Sequence, residues 1–119
     1  MFPGPIVLVE NRHTALEAAG LARPVTLLSP VDAVATLGPL WWWSLIADAR
    51  AHATAPLADI LDCGAAPGHA MAALRCGCLA LILAPGPASS RVAGAAATMG
   101  AVILDQRPPA MTFLDWRRG

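Results

Sequence analysis

The sequence contains no lysine and no tyrosine, and only 13% of its residues are charged. The absence of lysine excludes Schiff-base catalysis and the P-loop mechanism, because both need a lysine amine. Eight arginines and eight acidic residues balance to zero net charge and form no basic block, so nucleic-acid binding has no electrostatic support. Hydrophobic residues make up 56% of the 119, which leaves little polar surface, and we expect a homo-oligomer.

Long apolar runs are also missing. The longest covers residues 76–86, well short of the ~18 residues of a membrane span. The N-terminus has no basic region of the kind that opens a signal peptide. The cysteines number three, an odd count that favours free thiols in a reducing compartment. We therefore expect a cytoplasmic protein with neither membrane nor nucleic acid as a partner.

One pattern occurs three times: a helix of small residues, a glycine, and then a run of leucine or β-branched residues. The glycines are Gly20, Gly77 and Gly100, each placed to adopt the left-handed conformation after a helix end. Five strands alternating with four helices follow from this pattern. The predicted strands are 6–10, 25–28, 58–63, 79–84 and 101–105, and the predicted helices are 13–19, 40–53, 67–76 and 89–99.

The predicted strands are continuously apolar, which is typical of parallel strands covered on both faces. The sequence thus predicts a single α/β domain over residues 1–119. Its sheet is expected to be doubly wound, five-stranded and parallel, in the flavodoxin-like order 2-1-3-4-5. A half-barrel fragment is the alternative fold.

In a doubly wound sheet, ligands bind at the carboxyl ends of the strands, between the first and third strands. Polar residues are concentrated at those ends in a chain that has few of them. The predicted ligand-binding residues there are Glu10, Arg12, His13, Asp62, Cys63, Gly64, Gly68 and His69. Ordinary loop polarity is the competing interpretation.

Residues 62–68, which read DCGAAPG, resemble motif I of the class I S-adenosylmethionine methyltransferases. The resemblance implies an adenosyl cofactor over this loop, where small residues and a helix N-terminus suit a close backbone approach. The chain departs from that family at Ala84, where an acid would hold the ribose. A strand-to-helix turn with Pro67 in the first helical position is the simpler interpretation. We predict no cofactor.

The segments IVLVEN and VILDQRPP are similar to the first and last strands of response-regulator receiver domains, with Asp62 at the phosphoacceptor position. This resemblance implies the same architecture. Asn11 and Arg107 replace the second acid and the lysine, so phosphotransfer lacks its electrostatic support.

Cysteine and serine residues supply the remaining candidate chemistry. Cys76 and Cys78 flank a glycine at a spacing shorter than structural zinc sites use, so we predict no metal. A Cys63–His69 pair lacks a third group, so we predict no catalytic residue. Ser89, Ser90 and Arg91 at a helix start suit N-capping, and they also suit a small anion such as phosphate.

The tryptophans are the main surface signal. Trp42 falls in line with the core stripe of its helix, whereas Trp41 falls on the polar face and Trp43 beside Arg50. We predict interface contacts at Trp41, Trp43 and Trp116.

The predicted function is a non-catalytic module that binds a small ligand, anionic or nucleotide-like, or that regulates a partner. A methyltransferase-like enzyme is one alternative, and a degenerate receiver-like or purely structural oligomer is the other.

Overall fold

The computed structural model describes residues 2–31 and 33–119. Within these residues the chain forms five strands and six helices, which confirms the α/β class. In chain order the elements are β1 (Ile6–Leu8), α1 (Arg12–Gly20), β2 (Val25–Leu28), α2 (Ala33–Leu37), α3 (Pro39–His52), β3 (Leu57–Asp62), α4 (Pro67–Cys76), β4 (Ala80–Ile82), α5 (Ser89–Thr98), β5 (Val102–Leu104) and α6 (Phe113–Arg118).

The five strands are all parallel and lie in the order β1-β2-β3-β4-β5. The register aligns Leu27 of β2 with Val7 of β1 on one side and with Asp59 of β3 on the other. The predicted flavodoxin-like order 2-1-3-4-5 is therefore not confirmed. Each crossover adds the next strand on the same side as the last, so the strand order never reverses. This is the order of the half-barrel alternative.

The helices form one layer over one face of the sheet. Right-handed crossovers that all step in one direction place their helices on the same face. Alternate strand residues such as Val7, Leu27 and Leu61 join helix residues such as Trp42 and Ala73 in the main core. Trp42 is fully buried, so its predicted place in the core is confirmed.

The second face of the sheet carries a smaller apolar cluster, to which the described helices contribute no residue. Leu28, Ile60 and Ile82 of this cluster are buried, and Phe2 packs against them. The prediction of a doubly wound sheet, with helices on both faces, is therefore not confirmed.

Residues 105–111, called the strap below, connect the two edges of the sheet. The strap leaves β5, and at its far end Met111 pairs with Val7 on the outer edge of β1. Met111 lies one position beyond β1, so it is five strand spacings from β5, about 24 Å, which is about the reach of seven extended residues. Pro108 and Pro109 favour that extended conformation. The strap is therefore nearly as short as its path allows.

Two helices are not predicted by the sequence. α2 is only five residues long, too short to show a helical period. α6 lies beyond the last predicted strand, where Thr112 accepts a hydrogen bond from the Asp115 N–H at 3.1 Å and caps its first turn. Among the residues that the structure describes, none of the helices has both the length and the apolar composition of a bilayer crossing.

Candidate functional site

The strand order divides the predicted site into separate regions. β2 lies between β1 and β3, so the polar residues after β1 do not adjoin Asp62 at the end of β3. The described sheet has no reversal of strand order, and hence no switch-point crevice.

Asp62 at the end of β3 is bound by its own chain. Its side chain is 6% exposed, and the carboxylate accepts the Gly64 N–H at 2.8 Å and the Arg107 guanidinium at 2.7 Å. Arg107 also donates to the Ser29 carbonyl oxygen at 2.9 Å, and the Ser29 hydroxyl accepts the Asp62 N–H at 2.8 Å. This Asp62–Arg107 clasp ties the strap to the ends of β2 and β3. The carboxylate is therefore engaged in holding the fold.

The loop after Asp62 does not bring reactive side chains together in a catalytic arrangement. Burial, and then the charge of Asp62, raise the pKa of the buried Cys63 thiol to about 12, so the thiol stays protonated and a poor nucleophile. His69 lies in the first turn of α4, and its buried Nδ1 has no hydrogen-bond partner among the described residues. A Cβ at Gly68 would meet no atom within 4 Å, so packing does not demand glycine there.

Glu10, Arg12 and His13 lie around the start of α1, where they face other surface residues. Arg12 pairs with Asp48 of α3, and His13 Nε2 lies 2.7 Å from a Glu17 carboxylate oxygen one turn along α1. Glu10 and Glu17 line an open groove of about 530 Å³ between α1 and α6. Arg117 also lines this groove, 3.6 Å from Glu17, and the second carboxylate leaves a net negative charge that is unfavourable for an anion.

A cavity of about 210 Å³ lies beyond the carboxyl end of β4, where α4 and α5 both begin. We call it the helix-start cavity. It is lined by Ala65, Pro67, Leu83, Ala84, Pro85, Gly86, Pro87, Ala88 and Ser89. These residues carry no acidic side chain.

The serines at this cavity do not cap α5. The N-cap is Ala88, which offers no side-chain hydrogen bond, and the helix starts at Ser89 itself. The Ser89 hydroxyl instead accepts the Gly86 N–H at 2.6 Å, and Ser90 and Arg91 are exposed in the first turn. The predicted capping role is therefore not confirmed. The first N–H groups of α5 lack a side-chain acceptor within the described chain.

A second cavity, of about 200 Å³, lies at the opposite end of the strands, their amino-terminal end. The sequence does not predict this cavity. We call it the Trp43 cavity. It is lined by Trp43, Ile46, Ala47, Arg50, Asp59, Gly77, Cys78 and Leu79. Asp59, whose side chain is 10% exposed, accepts the Trp42 indole N–H at 3.0 Å and the Arg50 guanidinium at 2.5 Å. A buried acid in an apolar strand needs hydrogen-bond partners. The presence of Asp59 within an apolar run is therefore the sequence feature that could have indicated this site.

The three tryptophans predicted for an interface lie in different surroundings. Trp116 is buried by its own chain, with the Arg23 guanidinium carbon 4.5 Å from its ring centroid. Trp41 is half-buried, its ring centroid 5.9 Å from that of Trp42. Trp43 is 44% exposed. Trp43 is thus the member of the three that offers most surface to another molecule.

Metal ligands do not cluster in the described chain: no three histidine, cysteine or acidic side chains come together there. Cys63, Cys76 and Cys78 are free thiols, as predicted.

Neither protein-family models nor the curated proteins give a match to this chain.

Proposed function

We propose that the chain is a cytoplasmic, non-catalytic module that binds a small anion, such as phosphate or a carboxylate, at the helix-start cavity. The observation that carries the proposal is that α4 and α5 both begin at one cavity without an acidic side chain among its lining residues. Each helix N-terminus holds the equivalent of about half a positive charge, and its first N–H groups have no intrahelical partners, although Pro67 at the start of α4 has no N–H. Two such ends at one cavity favour a negative ligand.

Arg91 adds a full positive charge to this region. It is the third residue of α5 and is exposed, so its guanidinium is free to swing toward a ligand at the helix start. A guanidinium binds phosphate or carboxylate oxygens in a bidentate manner. The Ser89 N–H already donates to the Gly86 carbonyl oxygen at 3.1 Å, so the Ser90 and Arg91 N–H groups would supply the remaining hydrogen bonds.

Thermal unfolding with added phosphate at constant ionic strength tests the proposal. We expect phosphate to raise the Tm of the wild type, and Arg91→Ala to lose at least half of that rise. Arg75→Ala is the matched control, because Arg75 is also an exposed arginine and lies in the last turn of α4. Equal rises in all three proteins would reduce the effect to general salt stabilisation and remove the proposal.

We do not extend the proposal to S-adenosylmethionine. Asp62 is paired with Arg107, and Ala84 follows β4 where that family has an acid. We expect isothermal titration with S-adenosylmethionine to show no binding at micromolar concentrations. A micromolar Kd would make the methyltransferase-like enzyme the better hypothesis.

We also propose self-association through the free edge of β5. Within the described chain β5 pairs with β4 alone, whereas the other edge of the sheet is covered by Met111. Leu79, Met99 and Val102 are exposed around this edge, and the Val102 N–H bonds to the Leu79 carbonyl oxygen at 2.9 Å. Trp43 borders the same surface, because it lines a cavity together with Leu79. Unpaired apolar edges of this kind associate readily with other strands.

A further inference from the structure

The Trp43 cavity combines a charged end with an apolar wall. It lies at the amino-terminal end of the strands, whereas the helix-start cavity lies at their carboxyl end. Its charged end is the Asp59–Arg50 ion pair. Asp59 is fixed from a second side by the Trp42 indole, and Arg50 donates to the Leu57 carbonyl oxygen at 2.6 Å. The guanidinium is therefore held in place before any ligand arrives.

The charged end has more donors to offer than acceptors. Arg50 carries five N–H donors, and two of them are used by Leu57 and Asp59. The Arg50 side chain is 48% exposed while that of Asp59 is 10% exposed, so an incoming molecule meets the guanidinium first. A matching ligand must therefore bring oxygen acceptors, and a negative charge suits the guanidinium.

The apolar wall consists of Trp43, Ile46, Cys78 and Leu79. Burial, reinforced by nearby Asp59, raises the pKa of the Cys78 thiol to about 12, so this part of the wall is uncharged. A Cβ at Gly77 would lie 3.3 Å from the Trp43 indole nitrogen. Glycine at this position therefore lets the indole lie close against the start of β4.

We propose that the Trp43 cavity binds a small carboxylate with an aromatic or branched apolar body. The carboxylate lies on the free N–H donors of Arg50, and the body packs against Trp43 and Leu79. This site is independent of the anion site proposed at the helix-start cavity, because the two cavities lie at opposite ends of the strands and share no lining residue.

An NMR titration of the ¹⁵N-labelled protein with phenylacetate tests this site. We expect saturable shifts of the Trp43 indole N–H and of the Leu79 amide, with a Kd of about 1 mM or tighter. Phenylacetamide keeps the apolar body without the charge, and acetate keeps the charge without the body. Each should bind at least about tenfold more weakly, because each engages only one end of the cavity. Shifts confined to the Ser90 and Arg91 amides would belong to the other cavity and would contradict this proposal.

Trp43→Ala should weaken phenylacetate binding at least about tenfold, because it removes the wall that the ring contacts. Leu114→Ala on α6 is the matched control, since Leu114 is also an exposed apolar residue and lies far along the chain from the cavity. Unchanged binding in Trp43→Ala, or equal affinities for phenylacetate and phenylacetamide, would overturn the proposal. So would the absence of saturable shifts with phenylacetate, benzoate and isovalerate. Trp43 shifts that follow protein concentration alone would assign the cavity to a second copy of the chain.

Discussion

Cys63 and Cys78 determine how the stability of this chain responds to alkaline pH. Burial raises the pKa of both thiols from 9.0 to about 12, so the unfolded chain releases these protons before the folded chain does. Because the unfolded state then binds fewer protons, the free energy of unfolding should fall as the pH rises from about 9 to about 12. The chain has no lysine or tyrosine to mask this effect.

Urea unfolding at about pH 8 and about pH 10.5 measures that fall. The double variant Cys63→Ala, Cys78→Ala is the control, and its stability should change much less between the two pH values. A fall of equal size in the double variant would show that the buried thiols are not its source.

Arg107 is the second residue with a predictable effect, since it holds the buried carboxylate of Asp62. Arg107→Ala leaves that carboxylate with the Gly64 N–H as its remaining hydrogen-bond donor, and it removes the contact of the strap with the ends of β2 and β3. We expect a loss of about 2–4 kcal/mol in the free energy of unfolding, less than for a fully buried pair because Arg107 is partly exposed.

Arg118→Ala serves as the comparison for urea unfolding, because Arg118 is exposed at the end of α6 and should change stability by less than about 0.5 kcal/mol. Adding Asp62→Asn to Arg107→Ala should restore part of the lost stability, since the amide removes the unpaired charge. Additive losses in this double variant would show that the clasp is not an electrostatic contact.

At the scale of elements, the sequence predicts most helices and strands because their ends carry local signals. α4 is predicted with the right bounds from Pro67 at its start and Gly77 at its end, and Gly77 adopts the left-handed conformation with φ of 102°. Gly20 shows the limit of this reasoning. α1 continues through Gly20, and the positive φ of 57° falls on Ala22. A glycine permits the left-handed conformation, but packing decides which residue adopts it.

The start of α5 offers an element-scale prediction. Ala88 occupies the N-cap without a side-chain acceptor, so Ala88→Asp should cap the helix and raise stability by about 0.5–2 kcal/mol. The new carboxylate would also occupy the N–H groups proposed to bind phosphate. Thermal unfolding should therefore show a higher Tm without phosphate and a smaller rise with it. A higher Tm with an undiminished phosphate response would place the anion elsewhere.

The candidate site was predicted only in part, because contacts between distant segments depend on strand order. The sequence predicts Asp62 as a ligand-binding residue, but its pairing with Arg107 requires the strap to cross from β5 to β1. Asp59, Arg50 and Trp42 form the polar end of an unpredicted cavity. These residues meet only because α3 packs over β3, and no local sequence pattern predicts that contact.

At the scale of the whole molecule, alternating strands and helices predict right-handed crossovers but not their direction along the sheet. Either direction buries the same apolar runs, so composition and periodicity do not distinguish the order 2-1-3-4-5 from the observed order. The observed order leaves one face of the described sheet without helices, and Phe2 near the N-terminus packs against the apolar cluster on that face.

The same order leaves β5 as an unpaired edge, and this edge decides the assembly that we expect. A twofold axis beside β5 would pair it with β5 of a second copy in antiparallel fashion, burying Val102 and Met99. The wild type should therefore be a dimer at micromolar concentration. Val102→Lys should weaken the dimer at least about tenfold, because a charge on an edge strand opposes pairing.

Light scattering over a dilution series measures this effect, with Leu40→Lys as the control on an exposed residue of α3. Leu40 is the more exposed of the two side chains, so general surface hydrophobicity would predict the larger effect there. Pairing through β5 predicts the larger effect at Val102, because only that side chain lies on the unpaired strand. A monomeric wild type, or a dimer weakened more by Leu40→Lys, would exclude the β5 edge as the interface.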